Sequence, residues 1–222
     1  AGDFDPDEMI KIIDTYFGEM KPNPSLPVIE PSAGQPITKP VETDVLGQEA
    51  ENVTLGWRMG GWATPDKDML DIISLIMNNG KAGLIDLNLL QQQKVLSAYS
   101  GAYSMADHCA FVMNATPKKG QTLEQVRDLL LGEVEKLKKG DFPQELITAS
   151  INNMKLSEMY RIESNGGRAN WFVNSFINGT EWANEVTRID RISRITKKQI
   201  VDFANEKFGN NYAVIYKREG KD

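Results

Sequence analysis

The chain has 222 residues, 41% of them hydrophobic and 25% charged, so it can build one large domain that buries its own core without staples. Its 25 basic against 31 acidic side chains give a net charge of −6, which excludes the basic surface that nucleic-acid binding needs to displace counterions. One cysteine excludes an intramolecular disulfide framework, and no segment approaches the roughly 20 continuous apolar residues of a bilayer span.

The opening Gly2-Asp3-Phe4-Asp5-Pro6 reads as a strand exit running straight into a helix. That pattern predicts a segment of a longer chain, cut just after a strand, in which a signal peptide on the parent would not be visible. Asp5 is a natural N-cap, Pro6 suits the first helical position, and Asp7 and Glu8 favour the positive end of the helix dipole. Met9, Ile12, Ile13, Tyr16 and Phe17 then recur at helical spacing up to Gly18. From Lys21 to Pro40 the prolines at 22, 24, 27, 31, 36 and 40 predict an extended surface linker.

Beyond the linker, Val41 to Leu46 and Val53 to Met59 read as strands that partner each other. Thr64-Pro65-Asp66 repeats the start grammar of a helix through Met69, Ile72, Ile73 and Ile76, with Gly80 as its stop. Leu96 to Tyr103 and Cys109 to Ala115 predict a hairpin across Ser104-Met105-Ala106-Asp107. Thr122 starts a helix ended by Gly140, Pro143 opens the next, and Asn165-Gly166-Gly167-Arg168 reads as a break between helices. Thr196 and Gln199 form a capping box ahead of Ile200, Val201, Phe203 and Phe208, and Tyr212 to Lys217 is a closing strand. The expected fold is α+β: an antiparallel-rich mixed sheet of four to six strands with helices mainly on one face. Residues 1–222 are expected to form a single domain, with a leading helix over 1–20, the linker over 21–40 and the body over 41–222.

Catalytic chemistry is hard to place in this chain. A catalytic zinc needs about three protein ligands. The only histidine, His108, and the only cysteine, Cys109, are neighbours on a predicted strand and so point to opposite faces. Neither H-E-x-x-H nor H-x-x-E-H can be written with one histidine, and no G-x-S-x-G elbow exists. Gly80-Lys81-Ala82-Gly83 lacks the spacing and the following Ser or Thr of a phosphate loop, and Gly60-Gly61 and Gly166-Gly167 read as turns. Trp57 and Trp62 flank Arg58, which would suit a stacking platform, although packing at a strand end is the commoner reason for such a pattern. Asn52-Val53-Thr54, Asn114-Ala115-Thr116 and Asn178-Gly179-Thr180 match the glycosylation sequon at the level of chance. No catalytic, metal-ligating or cofactor-binding residue is therefore expected.

An ordered series of motifs nevertheless resembles one family. Gly2-Asp3-Phe4-Asp5-Pro6 with its helix ending Tyr16-Phe17-Gly18 is followed by the Pro-rich linker, then Leu55-Gly56-Trp57-Arg58, Pro65-Asp66 and a helix closing at Asn79-Gly80. Next come Gly83-Leu84-Ile85-Asp86-Leu87-Asn88-Leu89, Leu123 to Gly140 with Asp141-Phe142-Pro143, and Ile195-Thr196-Lys197-Lys198-Gln199-Ile200 before the closing strand. Together they resemble the insulinase/pitrilysin zinc metallopeptidases, whose halves pair α+β domains of the processing-peptidase type around a peptide. The resemblance implies a second, non-catalytic domain of one half, with zinc and H-x-x-E-H in a catalytic domain upstream of Ala1. It implies as partners that catalytic domain, the other half of the parent and a peptide substrate. Family members that complete the active site from afar supply an arginine and a tyrosine seven residues later; this sequence has Leu90 and Ser97 at those places. Exported bacterial relatives imply a periplasmic or cell-envelope address.

Two functions of different class follow from the resemblance: a structural and substrate-enclosing domain of a zinc metalloendopeptidase that degrades peptides, or an interaction module of a catalytically inactive relative. A third reading, an independent small-molecule binding domain, requires a deep, closed, apolar pocket.

Overall fold

Among the described residues, three of the sheet's strands, 52–60, 108–116 and 212–219, alternate buried with less buried residues, and that period of two decides which side of the sheet becomes the core. The computed structural model describes residues 1–27, 34–62 and 64–220. The strands are β1 (Val41–Gly47), β2 (Asn52–Gly60), β3 (Ser97–Ser104), β4 (His108–Thr116) and β5 (Tyr212–Glu219), in the order β1-β5-β2-β4-β3. All neighbouring pairs are antiparallel except β1 and β5. Val53, Leu55, Trp57 and Met59 of β2, Cys109, Phe111, Met113 and Ala115 of β4, and Tyr212, Val214 and Tyr216 of β5 are buried on one face.

The helices are α1 (Pro6–Phe17), α2 (Asp66–Met77), α3 (Leu123–Lys139), α4 (Gln144–Glu163), α5 (Asn165–Ile177), α6 (Trp182–Val186), α7 (Arg188–Ile192) and α8 (Lys197–Lys207), and α2 and α3 lie directly on that face. α2 packs against β2 and β3, α3 against β2 and β4, and α8 against α2 and α3. α4 and α7 lie outside α2, and α5 lies against α4. Trp57, Phe111 and Phe208 join at the centre, with ring centroids 5.4 Å (Trp57–Phe208) and 5.0 Å (Phe111–Phe208) apart, and the Trp57 indole donates to the Gly209 carbonyl at 3.2 Å. Thr122 and Thr196 each close a full capping box, and Gly140 takes the left-handed φ of +69° that ends α3.

Three sequence expectations need correction. β1 does not partner β2: β5 lies between them, so the short connection over 48–51 spans one strand. Side-chain pairing explains the choice, because Glu42 of β1 accepts from the Tyr216 hydroxyl at 3.0 Å and from Arg127 at 3.2 Å. Thr64 does not cap α2; its hydroxyl donates to the Gly61 carbonyl at 2.7 Å, and the helix starts after Pro65. The break expected at 165–168 sits at Ser164, whose side chain caps α5 by accepting from Gly167 N–H at 3.0 Å. Gly166 and Gly167 lie inside the first turn of α5, and a Cβ on Gly167 would fall 1.8 Å from the Arg161 carbonyl oxygen. The kink between α4 and α5 therefore demands glycine.

α1 stands apart from this body. Its cap is the predicted one, with Asp5 accepting from Asp7 and Glu8 N–H at 2.9 and 3.0 Å. No residue of α1 is buried, and Ile12, Ile13, Tyr16 and Phe17 are 51, 50, 77 and 60% exposed. The linker residues on either side of 28–33 have no regular structure, and Pro31 lies outside the described residues.

Candidate functional site

His108 and Cys109 open β4 and face opposite ways, Cys109 into the core opposite Met59 and His108 outward opposite Gly60. Among the described residues, no group of three His, Cys, Asp or Glu could hold a metal ion. The residues present do not fit zinc.

Asn79 to Gly83 do not form a phosphate cradle, because a carboxylate already occupies the donors. Asp86, 3% exposed, accepts from Asn78 Nδ2 at 2.6 Å and from the N–H groups of Asn79, Gly80 and Gly83 at 2.8, 3.0 and 3.0 Å. It opens a π-helical turn over Asp86–Leu90 and clamps the loop leaving α2. A second buried acid, Glu133 of α3, accepts from Asn88 Nδ2 at 2.7 Å and pairs with Lys136 at 2.9 Å, tying that turn to α3. Sequence reasoning missed both carboxylates. Asp86 had a local signal in the donor-rich Asn-Asn-Gly-Lys-Ala-Gly before it; Glu133 had none, since its partner is 45 residues away.

A cleft of about 560 Å³ lies beside the start of α2, lined by Trp62, Lys67, Asp68, Arg161, Glu185 and Arg188 among others. Most of its charges pair, and Glu185 accepts from the Trp171 indole at 3.2 Å. Arg188 pairs with Asp68 at 3.1 Å and with Asp71, Arg191 pairs with Asp68 at 3.2 Å, and Lys67 pairs with Asp71. Arg161 sits 4.1 Å over the Trp171 ring and pairs with Glu158. This is a polar brace between α2 and α7, unlike the closed apolar pocket of a small-molecule domain.

The face of the sheet opposite the helices is the other candidate. Register places Tyr99, Asn114, Thr54 and Ile215 in one row across β3, β4, β2 and β5, and Gly101, Val112, Gly56 and Ala213 in the next. Tyr103, Ala110 and Arg58 form a third row. The middle row is a floor of small residues, and a Cβ on Gly56 or Gly101 would meet nothing within 4 Å. Asn114 Nδ2 donates to Asn52 Oδ1 at 3.0 Å and to Thr54 Oγ1 at 2.8 Å, so the polar groups of the first row are ordered. Burial, with Tyr103 close by, raises the Tyr99 hydroxyl above its usual value. At the third row the linker approaches: a Cβ on Gly34 would lie 3.2 Å from Arg58 Nη1. Trp57 is packed in the core, the commoner reason for an aromatic residue beside Arg58, and not on a stacking platform. Leu90 packs against the core at the end of the π-helical turn and Ser97 starts β3, so the two occupy different elements.

An open mixed sheet covered by helices on one side, with buried acids spent on structure, defines an α+β domain. Residues 1–154 match the family model of the peptidase M16 inactive domain, and the chain belongs to that family. The Helicobacter pylori zinc protease PqqE is 22% identical over 181 residues, which cover 80% of this chain and 41% of that protein. A protease structure from Helicobacter pylori superposes with a TM-score of 0.86 at 19% identity, covering 98% of this chain and 54% of that one. A peptidase M16 inactive domain structure from Pseudomonas fluorescens gives 0.81 at 14% identity, covering 100% and 52%. The chain thus spans between two-fifths and a little over half the length of these three relatives.

Proposed function

We propose that this chain is the structural and substrate-enclosing domain of a zinc-dependent metalloendopeptidase that degrades peptides. The observation that carries the reading is the bare sheet face. An antiparallel-rich sheet commonly leaves one side to water, but here that side bears an ordered polar row, two tyrosines and a glycine-floored trough. Membership of the peptidase M16 inactive-domain family supports this reading, in which the zinc is held by a catalytic partner domain. In that arrangement the bare face lines the peptide chamber, and the exposed apolar side of α1 packs against the catalytic domain.

The test uses the full-length parent with a photo-crosslinking amino acid at Val112, the centre of the trough. Illumination with a substrate peptide should attach the peptide to this domain. A parent that cleaves the peptide yet never crosslinks from Val112 would remove the enclosing role. A parent with no zinc-dependent cleavage at all would leave the chain as an interaction module of an inactive relative.

A further inference from the structure

α5 has two unlike sides. Trp171 and Ser175 turn toward the body: Arg161 of α4 lies 4.1 Å over the Trp171 ring, and the buried Ser175 hydroxyl donates to the Thr180 carbonyl at 2.8 Å. Across the helix, Phe172, Val173, Phe176 and Ile177 form a stripe at helical spacing and are 56, 50, 87 and 70% exposed. Phe172 stacks on Trp182 of α6 with ring centroids 4.1 Å apart, which carries the apolar surface past the turn at Gly179. No charged residue occurs between 169 and 180. Contacts run from α5 to α4, from α4 to α2 and from α2 to the sheet. The stripe therefore lies on the outer side of the helical layer, away from the bare sheet face.

The size of this surface and the charges at its ends fit one occupant. At about 200 Å² for a whole aromatic side chain and somewhat less for Val and Ile, these five residues expose roughly 500 Å². Homodimer interfaces are about 65% apolar, so a patch of this size belongs to an interface of roughly 800 Å² per copy, as stable complexes have. The sequence is also self-complementary. Residues 172, 173, 176 and 177 are symmetric about the midpoint between Asn174 and Ser175, and the exposed Arg168 and Glu181 lie equally far on either side of it. Two α5 helices packed antiparallel about a two-fold axis through that midpoint set Phe172 of one copy beside Ile177 of the other. Arg168, at the positive end of one helix dipole, then meets Glu181 at the negative end of the other.

We propose that α5 is the contact helix of a symmetric dimer of this chain, joined back to back through the helical layers. Both bare sheet faces remain free in such a dimer, so the pairing goes beyond the enclosing role and does not depend on it.

Sedimentation velocity of the chain at about 50 μM reads the mass, at a concentration that populates complexes of micromolar affinity. A dimer is expected. Phe176→Ser combined with Ile177→Ser should raise its dissociation constant by about a hundredfold or more, because four buried apolar side chains are lost per dimer. Glu181→Arg should raise it by about fivefold through the two end pairs. Chains carrying Val173→Cys, mixed with chains carrying Phe176→Cys and oxidised, should form a disulfide-linked pair, the native Cys109 being buried. That crosslink decides alone if the serine pair fails to fold, judged by near-ultraviolet circular dichroism. A monomer at this concentration overturns the proposal, as does a dimer unaffected by the folded serine pair or an absent crosslink. A dimer abolished instead by Ile12→Ser with Phe17→Ser would belong to α1 and overturn it equally. A monomer that pellets with phosphatidylcholine vesicles would give the stripe to a lipid surface, and that too overturns the dimer.

Discussion

Asp86 shows how one residue can hold a loop that looks functional. Four donors converge on a carboxylate that is almost fully buried, and three of them are backbone N–H groups. Removing the acceptor leaves those donors desolvated and unpaired, the costlier half of hydrogen bonding. Asp86→Ala is expected to destabilise the chain by about 3 kcal/mol or more in urea unfolding, whereas a surface Asp such as Asp202 changed to Ala should stay within about 0.5 kcal/mol. Glu124, at the start of α3, illustrates the other regime. Its hydrogen bond from Arg218, 2.8 Å long, is the main cause that lowers its carboxyl to about 2 from the usual 4.5. The unfolded chain binds the proton first as pH falls, so the stability Glu124 contributes is present above about 4.5 and is lost on descending toward about 2. Acid unfolding of Glu124→Gln, compared with the wild type, should show a smaller loss across that window; an identical loss would show that the pairing carries no linkage.

Elements differ in how much they depend on the rest of the molecule. α3 and α8 have complete capping boxes and buried apolar stripes, so local grammar and packing agree. α1 has the grammar without the packing: a good cap, a clear stripe and nothing buried. Ile12→Ser combined with Phe17→Ser should change the stability of this chain by less than about 0.5 kcal/mol. The same pair should weaken association with the catalytic domain of the parent, measured by calorimetry between separately produced halves. A large loss of stability in the isolated chain would mean that α1 packs on its own body. α4 lies between these cases. Leu146 and Ile147 pack inward at its start, while Met159 and Tyr160 near its end are 60 and 63% exposed. Beyond the kink at Ser164, Phe176 of α5 is 87% exposed.

For the molecule as a whole, sheet order predicts a gradient of protection. β2 is paired on both sides and buried on one face, and β4 and β5 share that position. Amide exchange in the isolated chain should be slowest in β2, β4 and β5. In β3 the amides of Ala98, Ser100 and Ala102 should exchange faster than those of Tyr99, Gly101 and Tyr103, because only the odd residues donate to β4. Uniform protection along β3 would show that its edge is covered. The brace of Arg188 and Arg191 to Asp68 and Asp71 then ties α7 to α2 on the helical side of the sheet.

Much of this was legible in the amino-acid order, because the signals are local. The cap at Asp5, the capping box at Thr196 and Gln199, the Gly140 stop and the hairpin over 96–115 each depend on residues within a few positions of one another. The opposite-face placement of His108 and Cys109 follows from strand geometry alone. The ordered motifs also carried the family. Long-range choices were not legible. The insertion of β5 between β1 and β2 depends on Tyr216 and Arg127 meeting Glu42 across 174 and 85 residues. Whether Asp86 was a surface acid or a buried clamp depended on how the loop after α2 closed. The trough of Gly101, Val112, Gly56 and Ala213 exists only once three strand registers are set, since a one-residue slip in any of them would scatter it. Sequence by itself determined the elements and the absence of a metal motif, because propensity and spacing act over a few residues. Tertiary structure alone decided which sheet face stays bare and which edge stays open, because those depend on contacts between segments far apart in the chain.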